Sequence, residues 1–288
     1  MQFQHSIRRP VALEGVGIHT GHPVRMRLLP APVDTGRVFR RVDLPTEPTV
    51  PAGPGSVSRQ PRRTALCQGV AEVHTCEHLL AAAFALGVDN LVIELDAAEV
   101  PGCDGSARDF VALLECAEPV AQDAPRREFR LDRVCSVVRD RGSIIALPFQ
   151  TGLRVSYVYA PADGAFGGPA VVDVEVDAKR FVQEIAPART FVTLQEATIA
   201  RAAGLGLGAD YDNTLVWDGQ GVLYNSLRFD DEPARHKTLD IIGDLSLASR
   251  RINAHIVAHG TGHWENLALL AKIEAVIAAS EDIAGHPG

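Results

Sequence analysis

Apolar and polar residues alternate along Val24–Leu29 (VRMRLL), which predicts a strand, and LVIEL at 91–95 reads as a buried one. Between them an Ala- and Leu-rich stretch predicts a helix that begins near Thr75 and stops before Gly87, and SARDFVALLECA (106–117) predicts a second helix. EPVAQDAPRRE (118–128) is polar and rich in turn residues, so it is read as a linker between a first domain at 1–120 and a second at 128–280. Beyond it EFRLDRVCSVV and SIIALPF predict strands joined by the turn residues of DRG (140–142), and LRVSYVY and VVDVEV predict two more. A helix from about Pro233 to Ser249, a strand at HIVAH (255–259) and an amphipathic helix from near Trp264 to about Ala279 complete the pattern. Both halves thus end in one order: helix, short strand, Gly-containing loop, helix. Runs of strands followed by helices predict an α+β fold of two similar layered domains rather than a parallel βαβ sheet.

Composition narrows the function classes. The 288 residues are 46% hydrophobic and 22% charged, which excludes wholesale disorder and a coiled coil. A net charge of -8 argues against a general nucleic-acid binder but permits a local basic pocket. The five cysteines form no CxxC pair, so neither a thiolate zinc knot nor a secreted disulfide framework is expected. The N-terminal residues lack an apolar signal core, and no stretch approaches the roughly 18 apolar residues of a membrane span. These features predict a cytoplasmic protein without a transmembrane segment.

Three segments carry candidate chemistry. In RHKTLDIIGDL (235–245), His236, Asp240 and Asp244 recur every fourth residue and share one helix stripe. An imidazole and a carboxylate one turn apart suit a divalent cation, although an exposed helix face with a His–Asp hydrogen bond gives the same spacing. HTCEH (74–78) matches the inverted zincin pattern HxxEH, in which two histidines bind zinc and the glutamate activates water; an ordinary helix start capped by Thr75 reads the same way. HGTGH (259–263) places His263 after a glycine turn at a helix N-terminus, where a carboxylate such as Asp244 would support it as a proton donor.

Taken in order with LEGVGIHTG (13–21), EHLLAA (77–82), GVDNLVIEL (87–95), DGSA (104–107), EIAPARTF (184–191) and LRFDDEPARHKTLDIIGDL (227–245), these segments resemble the UDP-3-O-acyl-N-acetylglucosamine deacetylases of lipid A biosynthesis. The resemblance runs from about Ser6 to Ile273. It implies two α+β domains whose paired helices pack face to face around zinc, with His78, His236 and Asp240 as ligands and water in the open position. It further implies Glu77 as general base, Thr190 as the hydroxyl that stabilises the oxyanion, and His263, oriented by Asp244, as the cation that protonates the leaving amine. Lys237, Phe191 and Arg189 become substrate contacts. The implied activity is hydrolysis of the acetamide of an acylated UDP-amino-sugar by a monomeric zinc enzyme; iron(II) accepts similar N and O ligands.

Several positions depart from that pattern. His74 replaces a small hydroxyl residue, Leu147 and Gly260 stand where basic residues are common, and Val192 replaces a glycine. The stretch 159–174, expected to form the acyl-chain tunnel, lacks the usual His and Gln. These departures keep three alternatives open: a paralogous zinc amidase for a different N-acetylated sugar or amide, a peptidase using His74 and His78, and a zinc-stabilised binding protein.

Overall fold

A computed structural model describes residues 2–139, 142–161 and 164–284. The first half runs β1 (Phe3–Ile7), β2 (Val11–Val16), β3 (Pro23–Pro30), β4 (Arg37–Arg41) and β5 (Thr49–Pro51). A small antiparallel unit follows, formed by β6 (Val57–Gln60), β7 (Arg63–Gln68) and β8 (Ala71–His74). The half closes with α1 (Glu77–Ala85), β9 (Leu91–Leu95), α2 (Arg108–Cys116) and β10 (Pro119–Pro125). The second half runs β11 (Glu128–Arg130), β12 (Cys135–Arg139), β13 (Gly142–Pro148), β14 (Leu153–Tyr159) and β15 (Ala170–Glu175). After a short α3 (Ala178–Arg180) come β16 (Phe191–Thr193), α4 (Leu194–Ala202) and β17 (Leu215–Trp217). The last elements are α5 (Glu232–Leu245), β18 (Arg251–His259) and α6 (His263–Ala284).

The two main sheets repeat one topology. Strand order is β2-β3-β9-β4-β5 in the first and β12-β13-β18-β14-β15 in the second. In each, the central strand is antiparallel to one neighbour (β3 or β13) and parallel to the other (β4 or β14). The central strands bury their apolar side chains, Leu91, Ile93 and Leu95 in β9 and Ile252, Ala254 and Ile256 in β18. Strands and helices are segregated into layers, so the molecule is α+β.

The paired helices α1 and α5 pack against each other, with α2 beside α1 and α6 beside α5. All nine residues of α1 are buried, which explains a helix apolar on nearly every side. Gly243 sets how closely α5 approaches: a Cβ there would lie 2.2 Å from the Glu77 carbonyl oxygen. Gly243→Ala is therefore expected to push the two helices apart at a cost of about 1–3 kcal/mol and to weaken metal binding with it. Thermal unfolding and metal titration check this; a variant that melts and binds metal like the parent contradicts the close-packing argument.

Three differences from the sequence expectation have physical causes. Residues 118–128 are not a bare linker: their inside-outside alternation forms β10, which pairs antiparallel with β1 through Ile7 opposite Pro119 and His5 opposite Ala121. Helix α5 stops at Leu245 instead of near Ser249, and turns at 246–250 redirect the chain into β18. Helix α4 has no buried residue and no strong apolar stripe, so periodicity does not mark it; its Thr193–Glu196 capping box does. The predicted DRG turn falls largely on Asp140 and Arg141, outside the described residues. All five cysteines are unpaired, and among the described residues no helix is long and apolar enough to cross a membrane.

Candidate active site

The chain enters α1 through a strained turn. Thr75 has φ +58°, in the left-handed region that β-branched residues avoid. Its hydroxyl donates to Glu99 Oε1 at 2.8 Å rather than capping the helix, and the cap position falls to Cys76. The same buried carboxylate accepts from the amides of His19 and Thr20 at 2.9 and 2.8 Å and from the Thr20 hydroxyl at 2.7 Å. These bonds tie the 17–22 loop to the turn and hold Thr75 in a conformation that costs about 1–3 kcal/mol. The turn delivers Glu77 and His78 to the first turn of α1, facing α5.

From α5 come His236 and Asp240. Nε2 of His78 and of His236 lie 3.6 and 3.5 Å from Asp240 Oδ1, and the two imidazoles meet edge to face with centroids 4.9 Å apart. All three side chains are buried. His236 Nδ1 donates to the Ala188 carbonyl at 3.1 Å, which leaves Nε2 as a lone-pair donor toward the cluster. Burial, reinforced by the nearby His78 and Lys237, pushes the His236 pKa down to about 3 against the pull of Asp240, so its ring is neutral. Burial opposes ionisation of Asp240, but Lys237, His236 and His263 outweigh it and hold the carboxyl well below the usual range.

Asp240 also shows what the cluster lacks by itself. Its Oδ2 accepts from Lys237 Nζ at 3.0 Å, whereas Oδ1 is buried without a hydrogen-bond partner. An orphaned carboxylate oxygen beside two imidazole nitrogens, with the three ligand atoms within 4.8 Å of one another, fits a divalent cation. Among the described residues this is the one group of three or more metal-ligating side chains brought together.

A second constellation adjoins it. His263 opens α6, and its Nδ1 donates to Asp244 Oδ2 at 2.9 Å. Asn266 Nδ2 donates to the same oxygen at 2.9 Å, and the Thr64 hydroxyl donates to Oδ1. Burial lowers the His263 pKa, but Asp244, Asp240 and Glu77 together overcome it and raise the value to about 10. The His263 Nε2 therefore presents a proton 3.6 Å from Glu77 Oε1. Burial raises the Glu77 pKa above its ordinary value, with His263 and His78 opposing. Glu77 Oε2 accepts from the Thr64 amide at 3.2 Å.

These groups floor a cleft of about 620 Å³ that also exposes Thr190, Phe191 and Lys237. Thr190 is fixed from behind: its amide donates to the Gly105 carbonyl at 2.8 Å, and its own carbonyl accepts from Leu215. Gly105, at φ +80°, passes so near Asn213 that a Cβ would sit 1.8 Å from that residue's carbonyl oxygen, which explains the glycine of the DGSA segment. Phe191 stands edge-on to His236 at 5.9 Å, with Lys237 Nζ 5.5 Å from its ring centroid. One arm of the cleft is apolar, with Val192, Ala197, Ala200 and Leu205; Arg59, Arg62 and Arg201 add cations around it.

Other predicted positions lie elsewhere. Arg189 does not line the cleft: its buried guanidinium is held by Glu232 at 2.9 Å, Asn225 and the Ser226 carbonyl, so it braces the loop before α5. The described residues of 159–174 contribute nothing to the cleft lining; Phe166 instead backs Phe191 at 5.1 Å. Leu147 sits in β13 opposite His255, away from the cleft. His74 faces Arg63 at 3.3 Å and Glu72 at 3.1 Å. His74→Ala is accordingly expected to retain full metal content by elemental analysis; loss of the metal would restore the HxxEH reading. Thr64 and Asn266 carry no motif, because they join the site only through tertiary contact, Thr64 lying 180 residues from Asp244 in sequence.

Comparison with known proteins shows the family. A family model described as UDP-3-O-acyl N-acetylglycosamine deacetylase matches residues 4–275. A protein named UDP-3-O-acyl-N-acetylglucosamine deacetylase from Cellvibrio japonicus is 39% identical over 273 residues, covering 92% of this chain and 88% of its own length. Proteins of the same name from Chromobacterium violaceum and Saccharophagus degradans are 38% and 39% identical, over 95% and 91% of this chain and 90% and 87% of theirs. With the match spanning both halves and every segment that builds the cleft, the chain belongs to the UDP-3-O-acyl N-acetylglycosamine deacetylase family.

Proposed function

We propose that this chain hydrolyses the acetamide of a UDP-3-O-acyl-N-acetylglucosamine, releasing acetate and the free 2-amine for lipid A biosynthesis. The observation that carries the reading is the convergence of Glu77, from the first half, on the same buried point as His236, Asp240 and His263 from the second. In this reading residues 1–120 and 128–280 act as two domains that share one site.

His78, His236 and Asp240 would hold zinc, or iron(II) with the same N and O donors. A cation there supplies Lewis acidity, which polarises the amide carbonyl and acidifies water. Glu77 takes the proton from water as its oxygen adds to the carbonyl carbon. The Thr190 hydroxyl and the cationic His263 face the oxygen that gains negative charge. Breaking the C–N bond requires a proton on nitrogen, since an amide anion is a poor leaving group. His263 gives that proton from Nε2, and Asp244 holds the ring by Nδ1 so that the other nitrogen points into the cleft. Asp244 thus positions and charges the imidazole without touching substrate.

The cleft divides as such a substrate requires. Apolar Val192, Ala200 and Leu205 would take the acyl chain, in place of the 159–174 stretch, and Phe191 would pack on the sugar. Lys237, Arg59 and Arg62 offer cations to the diphosphate, which supports nucleotide recognition without the basic residues replaced by Leu147 and Gly260. In this reading the enzyme is a cytoplasmic monomer, and five unpaired cysteines suit a reducing compartment. The test is acetate release from the 3-O-acylated UDP-sugar and from its non-acylated parent. The acylated compound is expected to turn over much faster. Equal rates, or none with either, reject acyl-specific deacetylation.

A further inference from the structure

At the opposite end of the α1–α5 pair from the metal ligands lies a second cleft of about 230 Å³. Phe84 is seven residues along α1 from Glu77, so the cleft begins about 10 Å down the helix axis from the active site. Both halves line it: Asp34, Arg37 and Asp89 from the first, Ser246, Arg250 and Arg251 from the second, with Arg126 and Arg127 from the crossover between them.

Five arginines line this cleft against two carboxylates, Asp34 and Asp89. Those acids are already committed, Asp34 to Arg127 at 3.3 Å and Asp89 to Arg126 at 2.8 Å. Arg250 pairs with Glu281 outside the lining. Arg37 and Arg251 have no carboxylate within ion-pair reach among the described residues. Arg37 donates to the Ser246 carbonyl, and Arg251 to the Phe84 carbonyl at 2.9 Å while stacking 3.9 Å above the Phe84 ring. Those bonds use one donor from each side chain, and a guanidinium carries five.

Among the described residues neither Arg37 nor Arg251 has an ion-pair partner of its own, and both lie beside a third guanidinium, that of Arg126. Burial first, then Arg126 and Arg37, push the Arg251 pKa down to about 10, against the pull of Asp89 and Glu128. Burial and Arg126 likewise lower that of Arg37, against Asp89. A cationic occupant would worsen this balance, and an oxyanion of charge two would offset it with bidentate hydrogen bonds.

We propose that this cleft, at the seam between the halves, binds a phosphoryl group, free or as a small phosphate ester, and that the bound anion braces the seam between the two sheet layers. The assignment does not depend on the deacetylase reading, because none of these residues lines the catalytic cleft. An anion that binds the folded chain but not the unfolded one stabilises it, increasingly as its concentration rises above Kd.

The test is calorimetric titration of the metal-loaded full chain with inorganic phosphate and with glycerol 3-phosphate, at constant ionic strength against chloride. Arg37→Gln is expected to weaken phosphate binding at least tenfold. The double variant Arg127→Gln/Arg250→Gln, whose side chains are more exposed and safer for folding, should do the same. Acetate release at low phosphate should stay within twofold of the parent in both. Lys237→Gln, which alters the catalytic cleft, should bind phosphate like the parent. Phosphate should also raise the melting temperature of the parent but not of the cleft variants. Binding of inorganic phosphate alone assigns the site to the free ion, and binding of both probes assigns it to phosphoryl groups generally. No binding above the chloride control, or binding unchanged in the arginine variants, overturns the proposal.

Discussion

Replacing Glu77 with alanine is expected to lower kcat by roughly 10²–10⁴-fold while the protein keeps its full complement of metal. The separation of the two readouts follows from geometry. Glu77 is not within the cluster formed by His78, His236 and Asp240, and its carboxylate instead faces His263 Nε2 at 3.6 Å and the Thr64 amide at 3.2 Å. Removing it deletes the group placed to take a proton from water but leaves all three ligands and their supports. KM should change much less than kcat, because the carboxylate lies at the floor of the cleft beneath the reacting atoms. A variant with near-normal turnover would require a different base, and one that also lost metal would make Glu77 a ligand.

Asp240→Ala should have the second large effect, and its signature is different. Here metal affinity is expected to fall by more than about 100-fold, beyond what loss of a supporting residue costs, and activity should fall with it. Stability should drop as well. Asp240 ionises against its burial because Lys237 and the histidines surround it, and its removal leaves the Lys237 ammonium without its 3.0 Å partner. Breaking a buried pair from one side costs about 3–5 kcal/mol, a value to be discounted here because a quarter of the Lys237 side chain is exposed. Asp240→Asn, which keeps the volume but not the charge, should recover part of the stability and little of the metal. Elemental analysis and thermal unfolding of the two variants side by side separate the ligand role from packing. Full metal content in Asp240→Ala would remove the carboxylate from the proposed site.

Much of this site is legible in the sequence where function and local structure share one period. His236, Asp240 and Asp244 declare themselves because a helix repeats at 3.6 residues, and the structure puts them on one face of α5. LVIEL and HIVAH stand out as the central strands of two sheets for a similar reason, being apolar runs bounded by polar turns. The meeting of His78 with His236 is not encoded locally. It depends on Gly243 allowing α5 to touch the Glu77 backbone, a close approach that a glycine inside a helix only hints at. Thr64, Asn266 and Glu99 leave no sequence pattern because each acts through one long-range hydrogen bond or a few. HxxEH misleads in the opposite direction: His74 has the right spacing, but it ends β8 before the Thr75 turn and so never shares a helix face with His78. The apolar arm was equally hidden, since α4 is too exposed to show a buried stripe and only its capping box marks it.

The central claim is that one imidazole from the first half joins an imidazole and a carboxylate from the second around a single cation with an open position. Anomalous diffraction at the zinc edge, on crystals of the metal-loaded protein, tests it most directly. A single peak bounded by His78 Nε2, His236 Nε2 and Asp240, with no fourth protein ligand, is the predicted result. A peak between His74 and His78, or one closed off by a fourth side chain, would contradict the account.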